Sequence, residues 1–144
     1  MIYTELTRRA LLLSFEAHKD QRDKSGMPYV YHPFHVAEQM TDEDTTVVAL
    51  LHDVAEDTDI TVEDIRRLGF PDRVCAALER LTRDKSVPYM EYIEGLSSDP
   101  IAAAVKLADL EHNSDLSRLG TVDEKAAARA KKYRAAMELL KRGR

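Results

Sequence analysis

The sequence has no tryptophan, and only one cysteine, five glycines and five prolines occur among its 144 residues. The single cysteine, Cys75, cannot form an intramolecular disulfide, and its apolar surroundings over residues 74–78 are typical of a small core residue. Few glycines and prolines are typical of a helix-rich globular protein. The lone thiol and the lack of a recognisable signal peptide predict a cytoplasmic location.

Basic residues are also fewer than acidic residues. The chain carries 21 basic and 26 acidic residues, a net charge of −5 and a pI of about 5.5. We therefore expect no nucleic-acid polymer as a partner, because no positive field surrounds the molecule. No uncharged apolar run approaches membrane-spanning length, so a membrane partner is not expected either. The length predicts a single domain over residues 1–144.

Apolar residues recur at intervals of three and four along most of the chain, and no convincing stretch alternates as a strand would. We therefore expect an all-α fold. Thr4, Thr61 with Asp64, and Thr121 are placed to cap helices, whereas glycine and proline predict a polar loop over residues 20–31. The predicted helices cover about residues 4–19, 33–40, 44–55, 61–68, 71–81, 100–116 and 122–140, with one more opening at Pro88.

Four ionisable side chains end an apolar helix within residues 51–58. His52 and Glu56 are four residues apart, as are Asp53 and Asp57, so each pair can share one face of the helix. A solvated helix end is the plain structural alternative. The combined spacing favours a functional reading, in which a His–Asp pair binds a metal ion beside a pair of carboxylates.

A metal ion held by protein usually needs three or more ligands, so this pair requires partners elsewhere. His32 opens a predicted helix, and Asp109 lies in an aliphatic stretch where an unpaired carboxylate would be costly. The alternatives are a capping or surface role for His32 and an ion pair between Asp109 and Lys106. Two imidazoles and two carboxylates suit Mn²⁺, Fe²⁺ or Zn²⁺. The remaining histidines are expected to have ordinary roles: His18, His35 and His112.

The chain resembles the HD superfamily of metal-dependent phosphohydrolases, and most of all the hydrolase domain of RelA/SpoT-type enzymes. Those enzymes degrade (p)ppGpp, the alarmone of the stringent response. The resemblance implies a compact HD-domain bundle of about eight to ten helices. It rests on four ordered blocks: residues 18–21, residues 24–29 followed by His32 and Pro33, residues 49–58, and residues 105–109 followed by Asn113.

The resemblance also implies roles for individual residues. One Mn²⁺ would be bound by the four residues that match the family's ligands, namely His32, His52, Asp53 and Asp109. Glu56 and Asp57 would act on the attacking water. The substrate would be a guanosine polyphosphate, and the reaction would be that of a guanosine-3′,5′-bis(diphosphate) 3′-pyrophosphohydrolase, which releases pyrophosphate.

Substrate contacts are predicted in the polar loop before His32. Arg22 and Lys24, with Ser25, could hold phosphate groups, since guanidinium and ammonium groups suit a polyphosphate. Solvated loop charges are the alternative. Asn113 lies four residues after Asp109 on the same helical face, and the resemblance implies that it contacts the ribose.

Two other functions remain open at this point. An HD-type nucleotidase or phosphomonoesterase would use the same four ligands and release orthophosphate. Asp115 and Leu116 keep it open, because alarmone hydrolases usually carry a basic and a small polar residue there. A non-catalytic nucleotide-sensing module would retain the scaffold, but the intact Glu56 and Asp57 argue against it. The sequence does not predict an oligomeric state.

Overall fold

The structure, a computed structural model, describes residues 1–143, and Arg144, the last residue of the predicted domain, lies outside the described residues. Within residues 1–143 the chain forms eight α-helices and no strand, which confirms the all-α prediction and the predicted number of helices. A 3₁₀ turn at Leu116–Arg118 precedes the last helix. The helices are α1 (Glu5–His18), α2 (Tyr31–Glu38), α3 (Glu43–Asp57), α4 (Val62–Arg67), α5 (Asp72–Leu81), α6 (Tyr89–Leu96), α7 (Pro100–Asn113) and α8 (Glu124–Arg142).

Side-chain caps explain where several helices begin. The hydroxyl groups of Thr4 and Thr61 accept hydrogen bonds from backbone N–H groups of the first turns of α1 and α4, as predicted. Asp42 caps α3 and Asp99 caps α7 in the same manner. Each of these oxygens satisfies a backbone N–H group that has no partner inside the helix.

The predicted cap of α8 was wrong. Asp123, and not Thr121, caps this helix, and its carboxylate accepts a hydrogen bond of 2.8 Å from the backbone N–H of Ala126. Aspartate is a stronger cap than threonine, and its negative charge also favours the positive end of the helix dipole. The helix therefore begins at Glu124, two residues later than predicted.

Two other boundaries also differ from the prediction. Helix α2 begins at Tyr31 rather than at Pro33, which places the proline in the first turn, where its missing N–H group costs nothing. Helix α7 ends at Asn113 rather than at Leu116. The backbone then enters the short 3₁₀ turn, which turns the chain towards α8.

Helix α3 is the central element of the fold. It packs against α1, α2, α5 and α7, and every residue from Thr45 to Val54 is buried. A helix that is apolar on all sides is stable only when other elements surround it. This burial carries His52 and Asp53 into the interior, whereas Glu56 and Asp57 reach the surface at the end of the helix. None of the helices described in residues 1–143 is both long and apolar enough to cross a lipid bilayer.

The cap of α8 gives a testable difference between two neighbouring residues. Asp123→Ala removes the oxygen that accepts from Ala126, so the free energy of unfolding should fall by about 1 kcal/mol. Thr121→Ala is the matched control and should leave that free energy unchanged. Denaturant titration followed by circular dichroism measures both. A larger loss from Thr121→Ala would contradict the observed cap.

Candidate active site

Four side chains from three helices meet beneath the surface. His32 lies in the first turn of α2, His52 and Asp53 lie near the end of α3, and Asp109 lies on α7. Each offers one nitrogen or oxygen atom, and these four atoms all lie within 4.8 Å of one another. All four residues are buried. The structure thus brings together the four side chains that the sequence analysis proposed as metal ligands, and their role as ligands stays a prediction.

The spacing of these atoms fits a divalent cation. Nε2 of His32 lies 2.7 Å from Oδ1 of Asp109. Nε2 of His52 lies 3.3 Å from Oδ2 of Asp53 and 3.5 Å from Oδ1 of Asp109. Adjacent ligands of an octahedral ion with bonds near 2.1 Å lie about 3 Å apart. Nε2 of His52 is also buried and has no hydrogen-bond partner within residues 1–143, so a cation would satisfy an otherwise unpaired atom.

The electrostatics of the cluster favour positive charge. Burial alone would lower the pKa of His52, but Asp53 and Asp109 outweigh it and raise the pKa to about 9. Burial alone would raise the pKa of Asp109, but Lys106 and His32 hold that pKa well below its ordinary value. The low pKa of Asp109 keeps this carboxylate charged, and a charged carboxylate attracts a cation. A proton or a metal ion can occupy this negative site.

Asp109 divides its two oxygens between different partners. Its Oδ2 lies 3.0 Å from Nζ of Lys106, in the ion pair that the sequence analysis held as an alternative. Its Oδ1 faces the two histidines and also accepts a hydrogen bond of 3.1 Å from Nδ2 of Asn113. The ion pair and a place in the cluster are therefore compatible.

Surrounding groups orient the cluster. Nδ1 of His52 donates to the backbone carbonyl of Ala49 at 2.6 Å, which leaves Nε2 as the nitrogen that faces the centre. The hydroxyl of Tyr29 donates to Oδ2 of Asp53 at 2.7 Å. Nδ1 of His32 lies 2.7 Å from Nδ1 of His112, so His112, for which we expected an ordinary role, is a neighbour of the cluster.

Glu56 and Asp57 lie beside the cluster on the last turn of α3, and both are exposed. Partial desolvation of the carboxylates and the nearby charge of Asp53 raise the pKa of each. Oδ2 of Asp57 lies 3.4 Å from the hydroxyl of Tyr29. Carboxylates with raised pKa values that border a buried centre are suited to accept and return protons.

A cavity of about 320 Å³ opens next to the cluster, and His32 forms part of its wall. All four residues predicted to contact a substrate also line this cavity: Arg22, Lys24, Ser25 and Asn113. The loop that carries three of them is folded around Asp23, whose carboxylate accepts from the backbone N–H groups of Ser25 and Met27. The four predicted substrate contacts therefore share one cavity, and their roles stay predictions.

The cavity is also lined by residues to which the sequence analysis gave no role. Ala126, Arg129 and Tyr133 share one face of α8, and Arg118 comes from the 3₁₀ turn. The spacing of three and four residues along α8 is the only local signal for this part of the lining. Such spacing is common in any helix that packs on one side, so it could not reveal the cavity.

Comparison with known proteins identifies the class. The HD domain family matches residues 10–139, and the chain therefore belongs to the HD domain family. This confirms the resemblance noted in the sequence.

Two curated relatives carry the same enzyme name. The chain is 34% identical to guanosine-3′,5′-bis(diphosphate) 3′-pyrophosphohydrolase of Aquifex aeolicus, over 74% of this chain and 17% of that protein. It is 40% identical to human guanosine-3′,5′-bis(diphosphate) 3′-pyrophosphohydrolase MESH1, over 70% of this chain and 64% of that protein. The chain thus spans less than two thirds of the length of these relatives.

A solved structure extends the likeness to the whole fold. It is described as a metazoan ortholog of SpoT that hydrolyzes ppGpp, and it superposes with a TM-score of 0.75 at 30% identity. The match covers 99% of this chain and 87% of the other. The two chains therefore share one fold.

The cluster makes a direct prediction about metal binding. Asp53→Ala removes one of the four donors and the charge that attracts a cation, so it should abolish Mn²⁺ binding in equilibrium dialysis. Asp57→Asn is the matched control, since it removes a neighbouring charge outside the four donors, and it should retain binding. Unchanged Mn²⁺ binding by Asp53→Ala would contradict the cluster as a metal centre.

Proposed function

We propose that this chain is a metal-dependent phosphohydrolase that removes pyrophosphate from the 3′ position of guanosine-3′,5′-bis(diphosphate) or a related nucleotide. One observation carries the proposal: the buried cluster of two histidines and two aspartates borders a cavity with several cationic side chains. The names of the relatives support the same reaction. A cytoplasmic setting belongs to this proposal, because the buried free thiol of Cys75 fits a reducing compartment.

The proposed metal is one Mn²⁺ held by His32, His52, Asp53 and Asp109. A mixed set of nitrogen and oxygen donors suits Mn²⁺, and four protein ligands leave positions for water and a substrate oxygen. When bound, the cation would lower the pKa of water and neutralise charge on a phosphoryl oxygen. The unpaired Nε2 of His52 supports this assignment from within the structure.

Glu56 and Asp57 are proposed to transfer protons during the reaction. In the reaction, a water oxygen forms a bond to the phosphorus attached to O3′, and the bond between that phosphorus and O3′ breaks. One proton leaves the water, and the departing O3′ needs one to become a hydroxyl group. Carboxylates with raised pKa values can take the first proton and return one to the product.

The cavity is proposed to hold the rest of the nucleotide. Its volume of about 320 Å³ falls at the lower end of the range usual for small-ligand sites. Arg22, Lys24 and Arg129 could neutralise phosphate groups, whereas Leu119 and Tyr133 offer apolar surface for a base. Ser25 and Asn113 could supply hydrogen bonds to phosphate and ribose.

Product analysis with ppGpp and Mn²⁺ tests the reaction. The wild-type protein should release GDP and pyrophosphate, and a chelator should stop the release. Glu56→Gln should retain Mn²⁺ yet lose turnover by about 100-fold or more, because it removes a proton acceptor and no ligand. Glu91→Gln, on the exposed side of α6, is the matched control and should be fully active.

The products also separate the alternatives. Orthophosphate from a nucleoside monophosphate, without cleavage of ppGpp, would replace this proposal with a nucleotidase. Tight binding of ppGpp without turnover in the presence of Mn²⁺ would favour a nucleotide-sensing module.

The α8 wall of the cavity generates a separate prediction. Arg129→Ala removes a cation from the cavity, so KM for ppGpp should rise while kcat changes little. Arg134→Ala removes the same charge from an exposed position of α8 outside the cavity, and KM should stay unchanged. Steady-state kinetics at fixed ionic strength measures both variants. Equal effects of the two substitutions would mean that α8 contributes only general charge.

A further inference from the structure

We propose that His112 is a positioning residue that fixes the ring orientation and the proton distribution of His32. In this arrangement Nδ1 of His112 accepts a hydrogen bond from Nδ1 of His32, and the lone pair on Nε2 of His32 remains free to face the cation. The inference rests on the metal centre proposed above, and it assigns a function to a histidine outside the four proposed ligands.

The short distance between the two rings requires that one ring nitrogen donates a hydrogen bond to the other. Nδ1 of His32 and Nδ1 of His112 are 2.7 Å apart. Two N–H groups at this distance would clash, and two lone pairs would repel, so one nitrogen must donate and the other must accept. A ligand that presents the lone pair of Nε2 carries its proton on Nδ1. Nε2 of His32 also lies 2.7 Å from Oδ1 of Asp109, so its lone pair is exposed only when the proposed cation lies between these two atoms. In that metal-bound state His32 is the donor, and His112 is the acceptor.

The surroundings of His112 hold its ring in place. The residue is only 7% exposed, and it lies on α7 three residues after Asp109. Its ring stacks on that of His35 with 4.0 Å between centroids. Its backbone carbonyl accepts a hydrogen bond of 2.8 Å from the guanidinium of Arg118. The acceptor is thus fixed relative to the helix that also carries a proposed ligand.

The second ligand histidine shows the same design with a different acceptor. Nδ1 of His52 donates to the carbonyl of Ala49, which lies one turn earlier in α3. His32 is the second residue of α2, so it has no preceding turn of its own helix to supply a carbonyl. The imidazole of His112 takes that place. Such outer partners orient a ligand ring and raise its basicity, and their loss typically weakens metal binding about 10- to 100-fold.

Two substitutions separate the hydrogen bond from the packing of the ring. His112→Leu removes the acceptor, and Mn²⁺ affinity in equilibrium dialysis should fall about 10- to 100-fold. His112→Asn places a carbonyl oxygen near the position of Nδ1 and should restore most of that affinity. His35→Leu removes the ring that stacks on His112 but leaves the hydrogen bond between His32 and His112 intact. The loss of Mn²⁺ affinity in this variant should therefore be smaller than in His112→Leu. Circular dichroism shows whether each variant is folded.

A measurement on the unsubstituted protein tests the inference even if His112→Leu does not fold. In ¹⁵N-histidine NMR of the protein loaded with diamagnetic Zn²⁺, His112 should carry its proton on Nε2 and none on Nδ1. A proton on Nδ1 of His112 would overturn the inference, as would wild-type Mn²⁺ affinity in folded His112→Leu. Failure of the wild-type protein to bind Mn²⁺ would instead overturn the metal centre, and this inference with it.

Discussion

Asp53 and Asp109 place two carboxylates in the interior, with one oxygen of each turned towards the same pair of imidazoles. Buried charges destabilise a fold unless other charges or hydrogen bonds compensate them. Lys106 compensates one oxygen of Asp109, and Tyr29 donates to Asp53. The proposed cation would compensate the remaining negative charge, and helices α2, α3 and α7 must cross where they do for the four donors to meet.

The local parts of this arrangement could be predicted from sequence. Thr4 and Thr61 predict where helices begin, because a capping side chain interacts only with the residue three positions later. The spacing of His52, Asp53, Glu56 and Asp57 predicts a functional site at the end of α3, since a helix places residues four apart on one face. His32 and Asp109 were also predicted as partners, one from its place at a helix start and one from the cost of an unpaired carboxylate in an aliphatic stretch.

The features that the sequence does not predict depend mostly on contacts between distant segments. The approach of α8 to the loop of Arg22 creates the cavity, and nothing near Arg129 in the sequence indicates that approach. The sequence predicts only an ordinary role for His112, because no neighbouring pattern distinguishes it, yet packing brings its Nδ1 to within 2.7 Å of Nδ1 of His32, 80 positions away. The prediction of Thr121 as the cap of α8 was wrong for a local reason. Thr121 and Asp123 are both residue types that cap helices, and side-chain geometry decides between them.

Crystals grown with Mn²⁺ and measured on both sides of the manganese absorption edge would show directly whether the four side chains bind the metal. We predict one strong anomalous peak within bonding distance of Nε2 of His32, Nε2 of His52, Oδ2 of Asp53 and Oδ1 of Asp109. A peak bound by other residues, or none at this cluster in a protein that binds Mn²⁺ in solution, would contradict it.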